Sequence, residues 1–149
     1  MRVIPICVIA TFLSITPVIV AGDQQSGDQS MSRKIVMKVD EQEIFITLND
    51  SKATTEFVAM LPITLQFRDY NSTEKVSDLP RKLSTSGSPA GFDPSVGDLA
   101  YYAPWGNLAI FYRDFGYSNS LVLLGRLEAG IEILAAKKGE FSVHIKVVE

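Results

Sequence analysis

The sequence has 149 residues, with 14 basic and 17 acidic side chains, one histidine and one cysteine. This length is that of one domain, and a hydrophobic fraction of 46% excludes wholesale disorder. One cysteine and one histidine exclude a disulfide framework and a Cys/His zinc site, and we expect no metal and no cofactor. The net charge of −3 argues against a nucleic-acid partner, because nucleic-acid binders present a basic face to phosphates.

The chain begins like a secretory signal peptide. A short basic start is followed by an almost entirely apolar stretch over residues 3–20, and Ala21 and Gly22 then precede polar residues. This order predicts a cleaved signal peptide over residues 1–22 and export to the periplasm or the exterior. Cleavage would remove Cys7 and leave no stable membrane insertion. The alternative is an uncleaved membrane anchor, because about 18 apolar residues can span a bilayer.

The next segment differs in composition from both of its neighbours. Residues 23–32 contain no large apolar side chain except Met31, and this composition predicts a flexible linker. The folded domain is therefore expected over residues 33–149.

The first half of the domain predicts a hairpin, a helix and a strand. Apolar residues recur at every second position over residues 33–39 and 43–48, which predicts two strands. Residues 49–51 offer a helix N-cap, and Pro62 is expected to end the helix. Residues 63–68 alternate again and predict a third strand.

The second half begins with a long loop and continues with strands. Residues 78–96 are rich in Pro, Gly and Ser and predict the loop, with a short strand around residues 76–79 before it. The remaining predicted elements are a hairpin of residues 97–103 and 108–112, a strand over 121–127, a helix over 129–138 and a strand over 141–147. About eight short strands and two short helices indicate a mostly β domain, either a sandwich or a barrel.

Two segments resemble the cyclophilin-like domain families of bacteria and archaea. GDLAYYAP at residues 97–104, followed by AIFY at 109–112, resembles the recurring core of these families. VLLGRLEAG at residues 122–130 resembles the segment that precedes the late helix of true cyclophilins. The resemblance spans residues 33–149 and implies a closed eight-stranded cyclophilin-like β-barrel with two short helices.

True cyclophilins are peptidyl-prolyl isomerases whose site lies on the outer surface of the barrel. The resemblance implies a site of an arginine, a glutamine, phenylalanines, a tryptophan and a histidine. Aligned by position, this sequence has Leu121 where the family has its histidine. Residues 107–111, which correspond to the strand that carries the glutamine, contain no glutamine. The position of the tryptophan falls near Tyr117. Phe111 remains as a pocket aromatic. Arg68 is the candidate arginine, on the strand face directed outside the barrel, although an arginine there is also ordinary on a surface.

Trp105 is a second candidate binding residue. It lies in a Pro-Trp-Gly turn near Tyr102, where burial is difficult, and an exposed tryptophan beside tyrosines can bind a peptide or small ligand. The alternative is that Trp105 covers one end of the barrel. His144 lies on the polar face of the last strand and is interpreted as a surface residue, which leaves no catalytic triad.

These observations leave three hypotheses for the function. The first is an exported, noncatalytic module that binds a proline-containing peptide or a small ligand. Its binding residues are Arg68, Tyr102, Trp105, Phe111 and Tyr117, with the long loop beside them. The second is a weak peptidyl-prolyl isomerase with Arg68 as its catalytic residue. The third is a structural or partner-docking domain.

Overall fold

The computed structural model describes residues 33–149, so the predicted signal peptide and linker lie outside the described residues. The strands are β1 Lys34–Val39, β2 Gln42–Leu48, β3 Ile63–Tyr70, β4 Glu74–Asp78, β5 Gly91–Phe92, β6 Asp98–Tyr102, β7 Asn107–Phe111, β8 Ser118–Asn119, β9 Leu121–Leu127 and β10 Phe141–Val147. The helices are α1 Lys52–Val58 and α2 Ile131–Ala136. None of the helices in this part of the chain has the length and apolar character needed to cross a bilayer.

Eight of the strands form a closed barrel in the order β1-β10-β3-β4-β7-β6-β9-β2. Every neighbouring pair in it is antiparallel. The predicted closed eight-stranded barrel with two short helices is therefore confirmed. The sequence did not predict the small sheet of β5 and β8, because two residues are too short to show alternation.

The main core fills the inside of the barrel. The apolar residues of the alternating runs, among them Ile35, Met37 and Val39, are fully buried there. Phe57 of α1 and Leu134 of α2 join the same core. The apolar residues that recur at every second position thus lie on the inward face of each strand.

Both helices are shorter than the sequence predicted. In α1, Ser51 is the N-cap, its hydroxyl accepting from the Thr54 N–H at 3.1 Å, but the helix ends at Val58 rather than at Pro62. The residue before a proline disfavours helical backbone, so the last turn cannot extend to Pro62. α2 begins after Gly130, whose φ of 90° is not helical, and ends before the extended Lys137.

A second, smaller cluster of buried residues lies on the outside of the barrel. It consists of Val76, Ala100, Ala109, Phe111 and Leu121, and we call it the outer cluster. Its residues come from β4, β6, β7 and β9. On β6, β7 and β9 they alternate with residues of the main core, and on β4 Val76 alternates with the buried polar residues Lys75 and Ser77. These four strands therefore have buried residues on both faces, whereas antiparallel sheets commonly expose one face to solvent.

Candidate functional site

A cavity of about 230 Å³ lies beside the outer cluster, and we call it the outer cavity. It is lined by Tyr70, Asn71, Thr73, Glu74, Tyr102, Trp105, Asn107, Phe111, Phe115, Ser118 and Leu121.

The strand register explains why these side chains meet. Tyr70 on β3 pairs with Glu74 on β4, which in turn pairs with Phe111 on β7. Directly paired residues on neighbouring strands point to the same face of the sheet. Tyr102 on β6 pairs in the same way with Asn107 and Leu121, so two rows of outward side chains form the cavity floor.

Trp105 forms one wall of the outer cavity. It lies in the turn between β6 and β7, which Gly106 closes with a φ of 70° and an N–H that donates to the Tyr102 carbonyl at 2.9 Å. The indole stands edge-on to Tyr70, with ring centroids 5.4 Å apart and planes at 85°, and to Tyr102 at 5.5 Å and 80°. It remains 55% exposed. The turn therefore holds an ordered aromatic ring at the surface instead of burying it.

Glu74 is the charged residue of the cavity lining. It is half-buried, and its carboxyl makes no hydrogen bond or ion pair with any other residue in the range 33–149. Burial raises the pKa of Glu74 to about 7, because the surroundings disfavour the charged form and no cation offsets that cost.

Asn107 contributes an unsatisfied polar group to the same lining. The residue is 1% exposed, and within the described part of the chain its Oδ1 is a buried side-chain atom with no hydrogen-bond partner. Buried polar atoms are nearly always paired, so an unpaired one calls for a physical explanation. The amide can present either Oδ1 or Nδ2 to the cavity, because the two orientations have nearly the same shape.

The structure brings together three of the five residues that the sequence singled out. Tyr102, Trp105 and Phe111 all line the outer cavity. Tyr117 does not line it and is 59% exposed, although Phe115 and Ser118 on either side of it do.

Arg68 lies on the outer face of β3, as the alternation predicts, because it pairs with the outward Val76 of β4. It does not line the outer cavity. Its Nη1 instead forms an exposed ion pair with Asp78 Oδ2 at 3.3 Å. The guanidinium is thus held by a carboxylate beside the cavity, not directed at a ligand within it.

The long loop is also separate from the outer cavity. Gly87, Ser88 and Pro89 line a different cavity of about 270 Å³, with Leu121 as a lining residue common to both. Trp105 and the loop, which were expected to lie side by side at one site, thus line two different cavities that share Leu121, and Arg68 lines neither of them.

His144 lies away from the outer cavity. Its Nδ1 is 3.0 Å from the Thr64 hydroxyl on the neighbouring strand, and its side chain is exposed. Residues 33–149 contain no group of three or more His, Cys, Asp or Glu side chains placed to hold a metal ion.

A second polar group lies behind Glu74, on the inward face of β4. Lys75 is 1% exposed, and its ammonium donates to Asp69 at 2.8 Å and to the Lys137 carbonyl at 2.7 Å. Tyr112 donates to the same Asp69 oxygen at 2.6 Å. The Lys75 and Tyr112 hydrogen bonds lower the pKa of Asp69, whereas burial and the Asp69 charge raise the pKa of Tyr112 to about 12. This group is fully paired, in contrast to Glu74.

Sequence reasoning missed Glu74, Asn107, Tyr70 and Phe115. Both Glu74 and Asn107 lie outside the strands that the sequence predicts, but each is the first residue of a strand, β4 and β7 respectively. One signal is present in the sequence, because Glu74 is two residues before Val76 and therefore lies on the same face of a strand. Its burial nevertheless depends on rings from β3 and from the turn before β7, which no local pattern reveals.

Comparison with known proteins agrees with this architecture. A family model described as the Cyclophilin-like family matches residues 37–146. The chain is similar to the solution structure of a hypothetical protein from Archaeoglobus fulgidus, with a TM-score of 0.61 and 14% sequence identity. That match covers 82% of this chain and 99% of the archaeal one, and at this identity it bears on the fold alone. No curated protein matches the sequence.

Proposed function

This chain belongs to the cyclophilin-like family, and on that premise we propose that its barrel is a noncatalytic module that binds a small ligand or a short proline-containing peptide in the outer cavity. One observation carries the proposal: an exposed, ordered indole and an unpaired, half-buried carboxyl line the same cavity. Trp105 supplies contact area and Glu74 supplies a polar group that a ligand can satisfy.

The size of the cavity limits the ligand. Its volume of about 230 Å³ lies below the roughly 300–1,000 Å³ of sites for drug-sized molecules. A single side chain, a proline ring or a small molecule is therefore the expected occupant. Peptide binding would place one residue in the cavity and the remainder of the segment on the surrounding surface.

The arrangement of charges supports a noncatalytic role. Rotation about a prolyl peptide bond must overcome about 20 kcal/mol, so an isomerase needs a group that stabilises the twisted bond. Arg68 is paired with Asp78 outside the cavity, and His144 lies elsewhere on the barrel. Neither is positioned for this role.

Weak peptidyl-prolyl isomerase activity is the second candidate function. It is favoured by one observation, that Arg68 shares the outer face of β3 with Tyr70, two residues further along. A cis/trans assay with the purified chain tests it. Turnover that disappears in Arg68→Ala with the fold intact would establish the isomerase, and a rate equal to the uncatalysed background would exclude it.

Fluorescence of Trp105 tests the binding function, because it is the only tryptophan of the sequence. Titration with proline-containing peptides and with small molecules should produce a saturable change in its emission. The control variant is Phe45→Ala, which removes an exposed aromatic side chain on β2, and its titration should be unchanged. Emission that no ligand alters would contradict the binding function and favour the structural or docking role.

We also propose that the domain acts after export, in the periplasm or outside the cell. The support is the basic start and apolar stretch of residues 1–22. Expression of the full chain followed by N-terminal sequencing of the product tests the proposal. A new N-terminus near residue 23 is expected, whereas an intact Met1 in the membrane fraction would indicate an uncleaved anchor.

A further inference from the structure

We propose that the outer cavity selects an organic cation with N–H donors, that is, a protonated amine or a guanidinium. The inference names the ligand class for the binding function proposed above and rests on it. Two features carry it, namely the charge of the cavity lining and the arrangement of its aromatic rings.

The only formal charge that the lining offers near neutral pH is the negative charge of Glu74. Glu74 is its one carboxylate, and none of its residues is Lys, Arg or His. The two nearest basic residues along β3 and β4 are already paired, Arg68 with Asp78 and Lys75 with Asp69. A half-buried carboxylate is costly without a partner cation. A ligand cation would supply that partner, whereas an anion would add repulsion.

The aromatic rings suit a cation as well. Trp105 stands nearly perpendicular to both Tyr70 and Tyr102, so the rings present differently oriented faces and edges around the mouth of the cavity. The electron-rich face of an aromatic ring attracts a cation within about 6 Å of its centroid, and tryptophan is the strongest of the three rings. Glu74 pairs directly with Tyr70 across the strands, which places the carboxyl beside this group of rings.

Hydrogen bonding distinguishes between classes of cation. An ammonium or guanidinium group can donate an N–H to the carboxylate of Glu74. A quaternary ammonium has no N–H, so it cannot make this hydrogen bond.

Selectivity between matched probes tests the inference. We would titrate the full chain at pH 8 with butylammonium, butylguanidinium, tetramethylammonium and neutral 1-butanol, following Trp105 fluorescence and calorimetry. The expected result is that butylammonium or butylguanidinium binds about tenfold or more tightly than 1-butanol and tetramethylammonium, as a charged hydrogen bond predicts. Glu74→Gln should abolish this difference, and the control Glu140→Gln, at an exposed carboxyl elsewhere, should keep it.

A second pair of probes distinguishes a peptide from a free amine. Acetyl-Gly-Lys-Gly-amide and its norleucine counterpart carry side chains of similar length with and without the charge. Tighter binding of the lysine peptide than of butylammonium identifies a basic protein segment as the ligand. Binding of butylammonium at equal or greater strength identifies a free amine. Either result supports the cation inference.

Three outcomes would overturn the inference, and they differ in whether the binding function also fails. If 1-butanol or the norleucine peptide binds as tightly as its charged counterpart, the cation inference is wrong but the binding function stands. If no probe binds and no proline-containing peptide changes Trp105 emission, the binding function fails as well. A Glu74→Gln variant that keeps the full selectivity also contradicts the inference, because the carboxylate is then not the recognition group.

Discussion

Trp105 stands edge-on to Tyr70, with ring centroids 5.4 Å apart and ring planes at 85°. Trp105 belongs to the turn between β6 and β7, whereas Tyr70 is the last residue of β3. The contact therefore spans β4 and β7, which lie between them in the barrel. Because these two strands are antiparallel, Glu74 lies opposite Phe111 and Asn107 lies opposite Asp78, so the two polar groups stand at opposite ends of the pair, and both line the outer cavity.

Replacement of Trp105 should weaken ligand binding strongly while it changes the stability of the fold only slightly. The side chain is more than half exposed, so Trp105→Ala should lower the free energy of unfolding by only about 1 kcal/mol. Ligand affinity should fall about tenfold or more, because the variant loses an aromatic wall of the cavity. Calorimetry measures the affinity and urea unfolding the stability. Phe45→Ala is the matched control, and an equal loss of affinity in both variants would contradict the role of Trp105.

The carboxyl of Glu74 should make folding depend on pH. In the folded chain its pKa is about 7, against an ordinary value of 4.5. Between these values the folded state holds a proton that the unfolded state has released, so the free energy of unfolding falls as pH rises from about 4.5 to 7. Glu74→Gln has no such proton. It should therefore exceed the parent in stability at pH 8 by on the order of 2 kcal/mol, and be close to it at pH 4.

Urea unfolding of both chains at pH 4 and pH 8 measures this difference. The comparison isolates Glu74, because every other titratable group, including the cavity tyrosines Tyr70 and Tyr102, is present in both chains. Glu140→Gln is the control, because it makes the same substitution at an exposed carboxyl outside the cavity. A difference between the Glu74 variant and the parent that is the same at the two pH values would contradict the assigned pKa.

Lys75 should be important for stability. It is buried and donates to Asp69 and to the Lys137 carbonyl, so Lys75→Met leaves that carbonyl without its donor and Asp69 without its cation, although Tyr112 still donates to Asp69. We expect a loss of about 2 kcal/mol, lower than for a fully buried pair because Asp69 is partly exposed. Lys34→Met is the control, since the exposed Lys34–Glu128 pair should contribute less than about 1 kcal/mol.

The same variant should change the response to acid. The Lys75 hydrogen bond is the largest cause of the lowered pKa of Asp69. A lowered carboxyl pKa stabilises the fold above the ordinary value of 3.8, and this contribution is lost as pH falls below it. Lys75→Met should thus show a smaller loss of stability between pH 4 and pH 2 than the parent. Equal acid sensitivity in both chains would contradict this.

Gly125 should not tolerate a side chain. It pairs with Leu48 on β2 and with Leu99 on β6, and a Cβ at this position would clash with the Thr47 carbonyl oxygen. Because the obstacle is backbone, Gly125→Ala should destabilise the barrel by about 3 kcal/mol. Gly116→Ala, where no atom lies within 4 Å of the added Cβ, is the control. Thermal unfolding compares them, and equal midpoints would show that β2 and β9 can move apart freely.

The sequence predicted most of the barrel because strand alternation is a local property. The alternating residues of β1, such as Ile35 and Met37, assign its inward face without knowledge of its neighbours. The same reasoning placed Arg68 on the outer face, which the pairing with Val76 confirms. Short or irregular segments carried no such pattern, which is why β5 and β8 were missed and both helices were predicted too long.

By itself, the sequence determined the inward and outward faces of the strands, the barrel family and the aromatic residues available on the β6–β7 hairpin. Only the tertiary structure decided which of these aromatic residues enclose a cavity, and that Glu74 rather than Arg68 supplies its charge. The reason is physical. Which way a side chain points depends on its own strand, whereas its burial and its partners depend on pairing between strands distant in sequence, such as β4 with β7.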